Sequence, residues 1–217
     1  EVAGGRPQVI YPDREENFSL KDYALTVLPG GFSFGDDLGA GRLWALTLQP
    51  YLDELRRYSD AGGAILGICN GFQVLLEVGL LEGALLRNNR LKFLCEHIHV
   101  RVEQTDTPFT SDAVAGQVLT LPIAHGEGNF HASPETLAAL EANRQVVFRY
   151  CAEDGAQSDA ANPNGSAHAI AGVCNVGRNV VGLMPHPERA CESMLGSADG
   201  RVVLESVINA VAATGSA

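Results

Sequence analysis

No stretch of the 217-residue chain reaches the ~20 consecutive apolar residues of a membrane-spanning helix, so a membrane span is excluded. Basic residues are few: 15 Lys and Arg stand against 26 Asp and Glu, a net charge of -11. Such a surface repels polyanions, which argues against nucleic acid as the main partner and leaves room only for a local basic patch suited to a small phosphate. There is no Cys-x-x-Cys, and the five cysteines, at 69, 95, 151, 174 and 191, are odd in number and widely spaced. That pattern speaks against a disulfide framework and a structural zinc site, and makes a reducing cytoplasm the simplest compartment. The first residues hold neither a basic segment nor an apolar signal core. Internal repeats, charge runs and low-complexity linkers are also missing. What remains is an ordinary globular composition, 46% hydrophobic and 19% charged. Its length suits a single α/β domain over residues 1–217, burying roughly two-thirds to three-quarters of the unfolded surface.

Apolar runs of strand length alternate with helical patterns, which predicts a mixed, mostly parallel sheet flanked by helices. Strands are expected at 8–11, 24–28, 63–68, 91–102, 118–124, 146–151, 167–174 and 179–184. Helices are expected at 40–61, 71–78, 134–142 and 200–213. The stretch 175–179, carrying Gly177, reads as a hairpin turn, so the later strands are expected to be partly antiparallel. Residues 154–165, with Asp154-Gly155 and Asn162-Pro163-Asn164-Gly165, read as a surface loop. The chain opens at Glu1, without Met and in a helix-ending pattern. An extension of about 20 residues, one strand and part of a helix, is expected before it.

The most informative segment is Gly62-Gly63-Ala64-Ile65-Leu66-Gly67-Ile68-Cys69-Asn70-Gly71-Phe72-Gln73. An apolar strand runs into a glycine-flanked cysteine and then a helix, the nucleophile-elbow pattern with Cys in place of Ser. A sharp turn holds the nucleophile in a strained conformation, and side chains at the flanks would collide. A helix N-terminus favours the thiolate. The plain alternative, a buried cysteine packing as a small hydrophobe, is accepted for the other four. For Cys69 the strand, both glycines and the helix agree on a nucleophile.

A thiol nucleophile needs a base. His186 lies in Met184-Pro185-His186-Pro187-Glu188-Arg189, just after an expected strand. The flanking prolines favour extended backbone, in which residues i and i+2 share a face. Glu188 then accepts from one imidazole nitrogen and leaves the other for the nucleophile. The rival is a rigid surface turn with a solvated Glu. Acyl transfer also needs donors for an oxyanion. Pro29-Gly30-Gly31-Phe32-Ser33-Phe34-Gly35-Asp36 follows a strand, and its paired glycines bring backbone N–H groups close to a ligand. A phosphate loop is the rival, but there is no Gly-Lys-Ser/Thr. The N–H groups of Gly31 and Asn70 are the expected donor pair, with Gly30 beside the ligand.

Together, Gly67-Ile68-Cys69-Asn70-Gly71-Phe72-Gln73 and Pro185-His186-Pro187-Glu188 resemble the class I, triad-type glutamine amidotransferases. Leu121-Pro122-Ile123-Ala124-His125-Gly126-Glu127-Gly128, the 29–36 loop, and Leu91-Lys92-Phe93 running into Val100-Arg101-Val102-Glu103 narrow the likeness to the glutaminase subunits of phosphoribosylformylglycinamidine synthases. The likeness covers nearly the whole chain. It implies a flavodoxin-like α/β fold whose opening strand is missing here. It implies that Cys69 attacks the side-chain amide of glutamine, that His186 shuttles the proton, and that Glu188 orients His186. Gln73 and the backbone around His125, Gly126 and Glu127 would hold the amino-acid end of glutamine. Ammonia would pass to a separate synthetase subunit, which binds ATP and Mg²⁺, and a small third subunit would bridge the two. No cofactor or metal is implied for this chain. The stretch 35–41 lacks the aromatic and basic residues usual after Asp36 in such relatives.

His125 on its own reads equally as a satisfied structural group. Cys95, His97 and His99 share one face of a regular strand and are fair zinc ligands. No fourth ligand is identifiable, so a packed or hydrogen-bonded sheet face is expected instead. Glu103, Asp106 and Asp112 read as solvated loop charges. Two other functions stay open: a stand-alone cysteine γ-glutamyl hydrolase on the same fold, active without a partner, and a non-catalytic docking subunit.

Overall fold

The structure is a computed structural model that describes residues 1–11 and 18–214. Its strands are β1 (Leu25–Leu28), β2 (Ala64–Ile68), β3 (Ala84–Leu86), β4 (Leu94–Val102), β5 (Val118–His125), β6 (Asn129–His131), β7 (Val146–Cys151), β8 (Ile170–Cys174) and β9 (Val180–Leu183). Its helices are α1 (Arg42–Thr47), α2 (Leu52–Asp60), α3 (Asn70–Glu77), α4 (Pro134–Ala142) and α5 (Gly200–Thr214). Seven strands form one sheet in the order β1-β2-β9-β8-β7-β4-β5, and β3 pairs with β6 apart from it.

The mixed α/β sheet agrees with expectation, but its parallel part is smaller. Only β1–β2 and β2–β9 are parallel; the four remaining pairings are antiparallel. Parallel neighbours need long crossovers, and these belong to the part of the sheet that carries the cysteine elbow. Beyond it, Asn175-Val176-Gly177-Arg178-Asn179 turns β8 straight into antiparallel β9. The left-handed position of that turn is Arg178, at φ 66°, and not Gly177.

Burial explains the sequence patterns. Every residue of β2, β8 and β9 is buried, so these interior strands read as continuous apolar runs. Edge strand β5 alternates half-buried and buried residues and presents one apolar face. Helix α3 packs on β1, β2 and β9. Phe72, Val74 and Leu75 on it are fully buried, each contributing at most about 1.5–3 kcal/mol. Close packing depends on missing side chains. A Cβ at Gly71 would collide with the Leu28 carbonyl oxygen, and one at Gly182 with the Phe72 ring.

Four element expectations are corrected. The helix expected over 40–61 is two helices, α1 and α2, joined by the 3-10 turn Gln49–Tyr51, because Pro50 lacks an N–H. Residues 8–11 join no sheet, and Val9 and Tyr11 are exposed, so apolar content there does not buy a strand partner. The strand expected from residue 91 starts at Leu94, and residues 167–169 form a 3-10 turn before β8. The short pair β3 and β6 carried no pattern long enough to read.

Candidate active site

Cys69 sits between β2 and α3 with φ 50° and ψ -104°. A non-glycine residue there is strained by about 1–3 kcal/mol, as an elbow requires. Its N–H bonds to the Leu183 carbonyl of β9 at 2.8 Å, and Gln73 N–H bonds to the Cys69 carbonyl at 3.1 Å. The turn is thus tied to the sheet on one side and to the helix on the other. Cys69 is only 5% exposed, and its Sγ lies 3.7 Å from the Ala124 carbonyl oxygen.

Burial pushes the Cys69 thiol up to about 12, with the Asn70 N–H opposing it and the charges of Glu188 and Asp36 adding to it. The helix terminus favours the thiolate through the Asn70 N–H, as expected, but burial opposes it more strongly. One backbone donor and the helix dipole do not offset removal from water. Burial thus favours the thiol form, whose proton has to leave during attack.

His186 is 1% exposed, and its Nδ1 lies 2.6 Å from Glu188 Oε1. A carboxylate accepts, so Nδ1 carries the proton and Nε2 keeps a lone pair. That Nε2 is buried with no protein partner. The contact is the expected one, reached by a different backbone. Pro187–Arg189 is a 3-10 turn, not an extended segment, and it curls Glu188 back onto the ring. His186 N–H bonds to the Pro122 carbonyl of β5 at 2.8 Å.

The 29–36 loop meets both residues. A Cβ at Gly30 would stand 2.6 Å from His186 Cε1 and 3.5 Å from Cys69 Cβ. Gly30 thus packs close to both His186 and Cys69, and a side chain there would clash with the imidazole. Gly31 follows at φ 154° with open space around it, and Asn70 opens α3, where an N–H has no intrahelical acceptor. Phe32, Phe34 and Phe93 are exposed around this opening, with the Phe32 and Phe93 rings 6.1 Å apart.

The 125–128 loop closes the site. Gln73 Nε2 donates to the Glu127 carbonyl at 2.7 Å, and Asn70 Nδ2 donates to Gln73 Oε1 at 2.8 Å. Gln73 thereby ties this loop to the helix of Cys69. Glu127 Oε2 accepts from Ala40 N–H at 3.0 Å and Oε1 pairs with Arg87 at 3.7 Å. His125 is buried and held neutral, pushed down to about 4 by burial and then by His186.

Two residues of this site were assigned no role from the sequence. Asp36 lies on the glycine-rich loop at φ 55°, and burial followed by the charge of Glu127 raises its carboxyl above the usual range. Asn88, fully buried, bonds to the 125–128 loop. Asp36 closes the 29–36 motif with no role read for it there, and Asn88 belongs to no local motif.

The other candidates settle elsewhere. Cys95 and His97 are exposed, while His99 Nδ1 lies 3.2 Å from Thr120 Oγ1, a hydrogen-bonded sheet face as expected. Among the described residues no group of three His, Cys, Asp or Glu is placed to hold a metal ion. Glu103 is not a solvated loop charge: it pairs with Arg101 at 2.7 Å and Arg149 at 3.6 Å. Those pairs line a polar cleft of about 970 Å³ that contains none of Cys69, His186 and Glu188. Its guanidinium groups are engaged by carboxylates and carbonyls. Asp106 pairs with Arg178 at 3.7 Å, and Asp112 Oδ2 accepts from Asn209 at 2.7 Å.

Residues 4–202 match the family of CobB/CobQ-like glutamine amidotransferase domains. A phosphoribosylformylglycinamidine synthase subunit PurQ from Salinibacter ruber is 50% identical over 196 residues, 90% of this chain and 83% of the relative. One from Methanosarcina acetivorans is 54% identical over 194 residues, covering 89% and 82%. Among solved structures, PurLQS from Thermotoga maritima has a chain with TM-score 0.76 and 41% identity, covering 90% of this chain and 83% of that one. A glutamine amidotransferase from Thermotoga maritima shares the fold, with TM-score 0.58 and 18% identity over 92% and 83% of the two chains.

Proposed function

The chain belongs to the glutamine amidotransferase family, and we propose that it is the glutaminase subunit of phosphoribosylformylglycinamidine synthase. The observation that carries the reading is that Gly30 packs closely on both the His186 ring and Cys69, while Glu188 holds Nδ1 of His186.

The proposed chemistry follows from those positions. Cys69 Sγ attacks the side-chain amide carbon of glutamine while His186 Nε2 takes the thiol proton. The carbonyl oxygen becomes an oxyanion held by the N–H groups of Gly31 and Asn70. The C–N bond breaks, His186 returns the proton to the leaving nitrogen, and ammonia departs from a γ-glutamyl thioester. Water then loses a proton to His186 and attacks the thioester. The C–S bond breaks, His186 returns that proton to sulfur, and glutamate leaves with the Cys69 thiol restored. Glu188 holds the tautomer and offsets the charge on His186 at each transfer. Gly30, His125, Gly126 and Glu127 shape the space for the amino-acid end of glutamine, with Gln73 as the brace between loop and helix.

Ammonia goes to a synthetase subunit, which binds ATP and Mg²⁺ and makes formylglycinamidine ribonucleotide; a small bridging subunit completes the assembly. Exposed Phe32, Phe34 and Phe93 at the opening favour a site that a partner covers over a stand-alone hydrolase. No helix among the described residues is long and apolar enough to cross a membrane, and we place the enzyme in the cytoplasm.

Mixing the chain with its synthetase and bridging subunits tests the reading. Glutamine, ATP and formylglycinamide ribonucleotide should then give the amidine, one ammonia consumed per ATP. Product from added ammonia but none from glutamine would reject it.

A further inference from the structure

Asn88 lies between β3 and β4, far in sequence from Cys69, and is fully buried. All of its side-chain hydrogen-bonding atoms are engaged, mostly on one target. Oδ1 accepts from Gly128 N–H at 3.1 Å and faces His125 Nδ1 at 3.1 Å. Nδ2 donates to the His125 carbonyl at 2.9 Å and to the Lys92 carbonyl at 2.8 Å. Its backbone N–H donates to the Gly126 carbonyl at 2.9 Å. Two carbonyls on one side and an N–H on the other fix the amide's orientation. The same orientation fixes His125: an acceptor at Nδ1 demands a proton there, so Nε2 keeps its lone pair. Nε2 is buried and has no protein partner. A Cβ at Gly128 would collide with the imidazole, so the ring packs directly against that residue.

We propose that Asn88 is a positioning residue for glutamine: it locks the 125–128 loop and the His125 tautomer that together receive the amino-acid end of the substrate. The inference rests on the glutaminase reading. Gln73 ties this loop to the Cys69 helix, and the Ala124 carbonyl lies 3.7 Å from Cys69 Sγ, so loop position and nucleophile share one frame. Asn88 touches neither sulfur nor His186. It acts on substrate placement and leaves the nucleophile's reactivity alone.

Asn88→Asp is nearly isosteric. It keeps acceptors for Gly128 N–H and His125 Nδ1, but sets a carboxylate oxygen against the His125 and Lys92 carbonyls, which repel it. Asn88→Ser removes the reach altogether. In the assembled enzyme both should raise the KM for glutamine at least about tenfold while kcat changes less than about threefold. Two electrophiles provide the control. A diazoketone analogue of glutamine carries the amino-acid end; iodoacetamide does not. Labelling of Cys69 by the analogue should slow at least tenfold in the variants, and labelling by iodoacetamide should stay within about twofold. Equal loss with both reagents, an unchanged KM, or loss of cooperative melting in both variants would overturn the proposal. If the unaltered chain itself fails to prefer the glutamine analogue, the glutaminase reading fails instead.

Discussion

Cys69→Ala in the assembled enzyme is expected to remove glutamine-dependent synthesis by about 10⁴-fold or more, while synthesis from added ammonia stays within about twofold. The size follows from covalent catalysis. Without sulfur there is no thioester, and His186 and the oxyanion donors have no nucleophile to serve. The selectivity follows from the division of labour, because this chain makes ammonia and the partner uses it. Folding should survive. Alanine removes only a small buried group, and the strained φ of 50° is imposed by the bonds from Leu183 and Gln73, which are backbone bonds. Steady-state assays with each nitrogen source check it. Loss of both activities in an intact complex would contradict the division of labour.

The second large effect is a switch. The isolated chain is expected to be a poor glutaminase whose kcat rises by about 10²–10³ when the substrate-loaded partner docks, the worth of one oxyanion donor. The loop after Gly31 has the properties such a switch needs. Phe34, Asp36 and Leu38 all have positive φ, at 58°, 55° and 61°. Strain of about 1 kcal/mol or more at each brings alternative loop states within reach. Asp36 Oδ1 is buried with no partner, a further local cost. Phe32, Phe34 and Leu38 are exposed, so a docking surface has apolar handles on the loop itself. Covering them fixes the Gly31 peptide without moving Cys69 or His186. Equal kcat with and without partner, at saturating glutamine, would favour the stand-alone hydrolase.

The elbow was legible because its causes are local. Gly67 and Gly71 flank Cys69, and the packing of Gly71 on Leu28 shows what they make room for. The His186–Glu188 contact was legible, though through a backbone conformation that the molecule does not use. The reactivity of Cys69 was not. A helix terminus can be read from sequence, but the burial that opposes it involves residues distant in sequence, such as Ala124 and Gly30. Asn88 was invisible for the same reason, since its partners in the 125–128 loop lie 37 to 40 residues away. The parallel share of the sheet was overstated because fully buried antiparallel strands such as β8 read like parallel ones.

The central claim is that Cys69 carries the γ-glutamyl group. The direct measurement is peptide mass spectrometry after brief treatment of the assembled enzyme with the diazoketone analogue of glutamine. The account predicts one adduct, on the peptide containing Cys69, blocked by excess glutamine and matched by loss of glutaminase activity. Stoichiometric label on Cys95, Cys151, Cys174 or Cys191 with Cys69 unmodified, or inactivation with Cys69 still free, would contradict it.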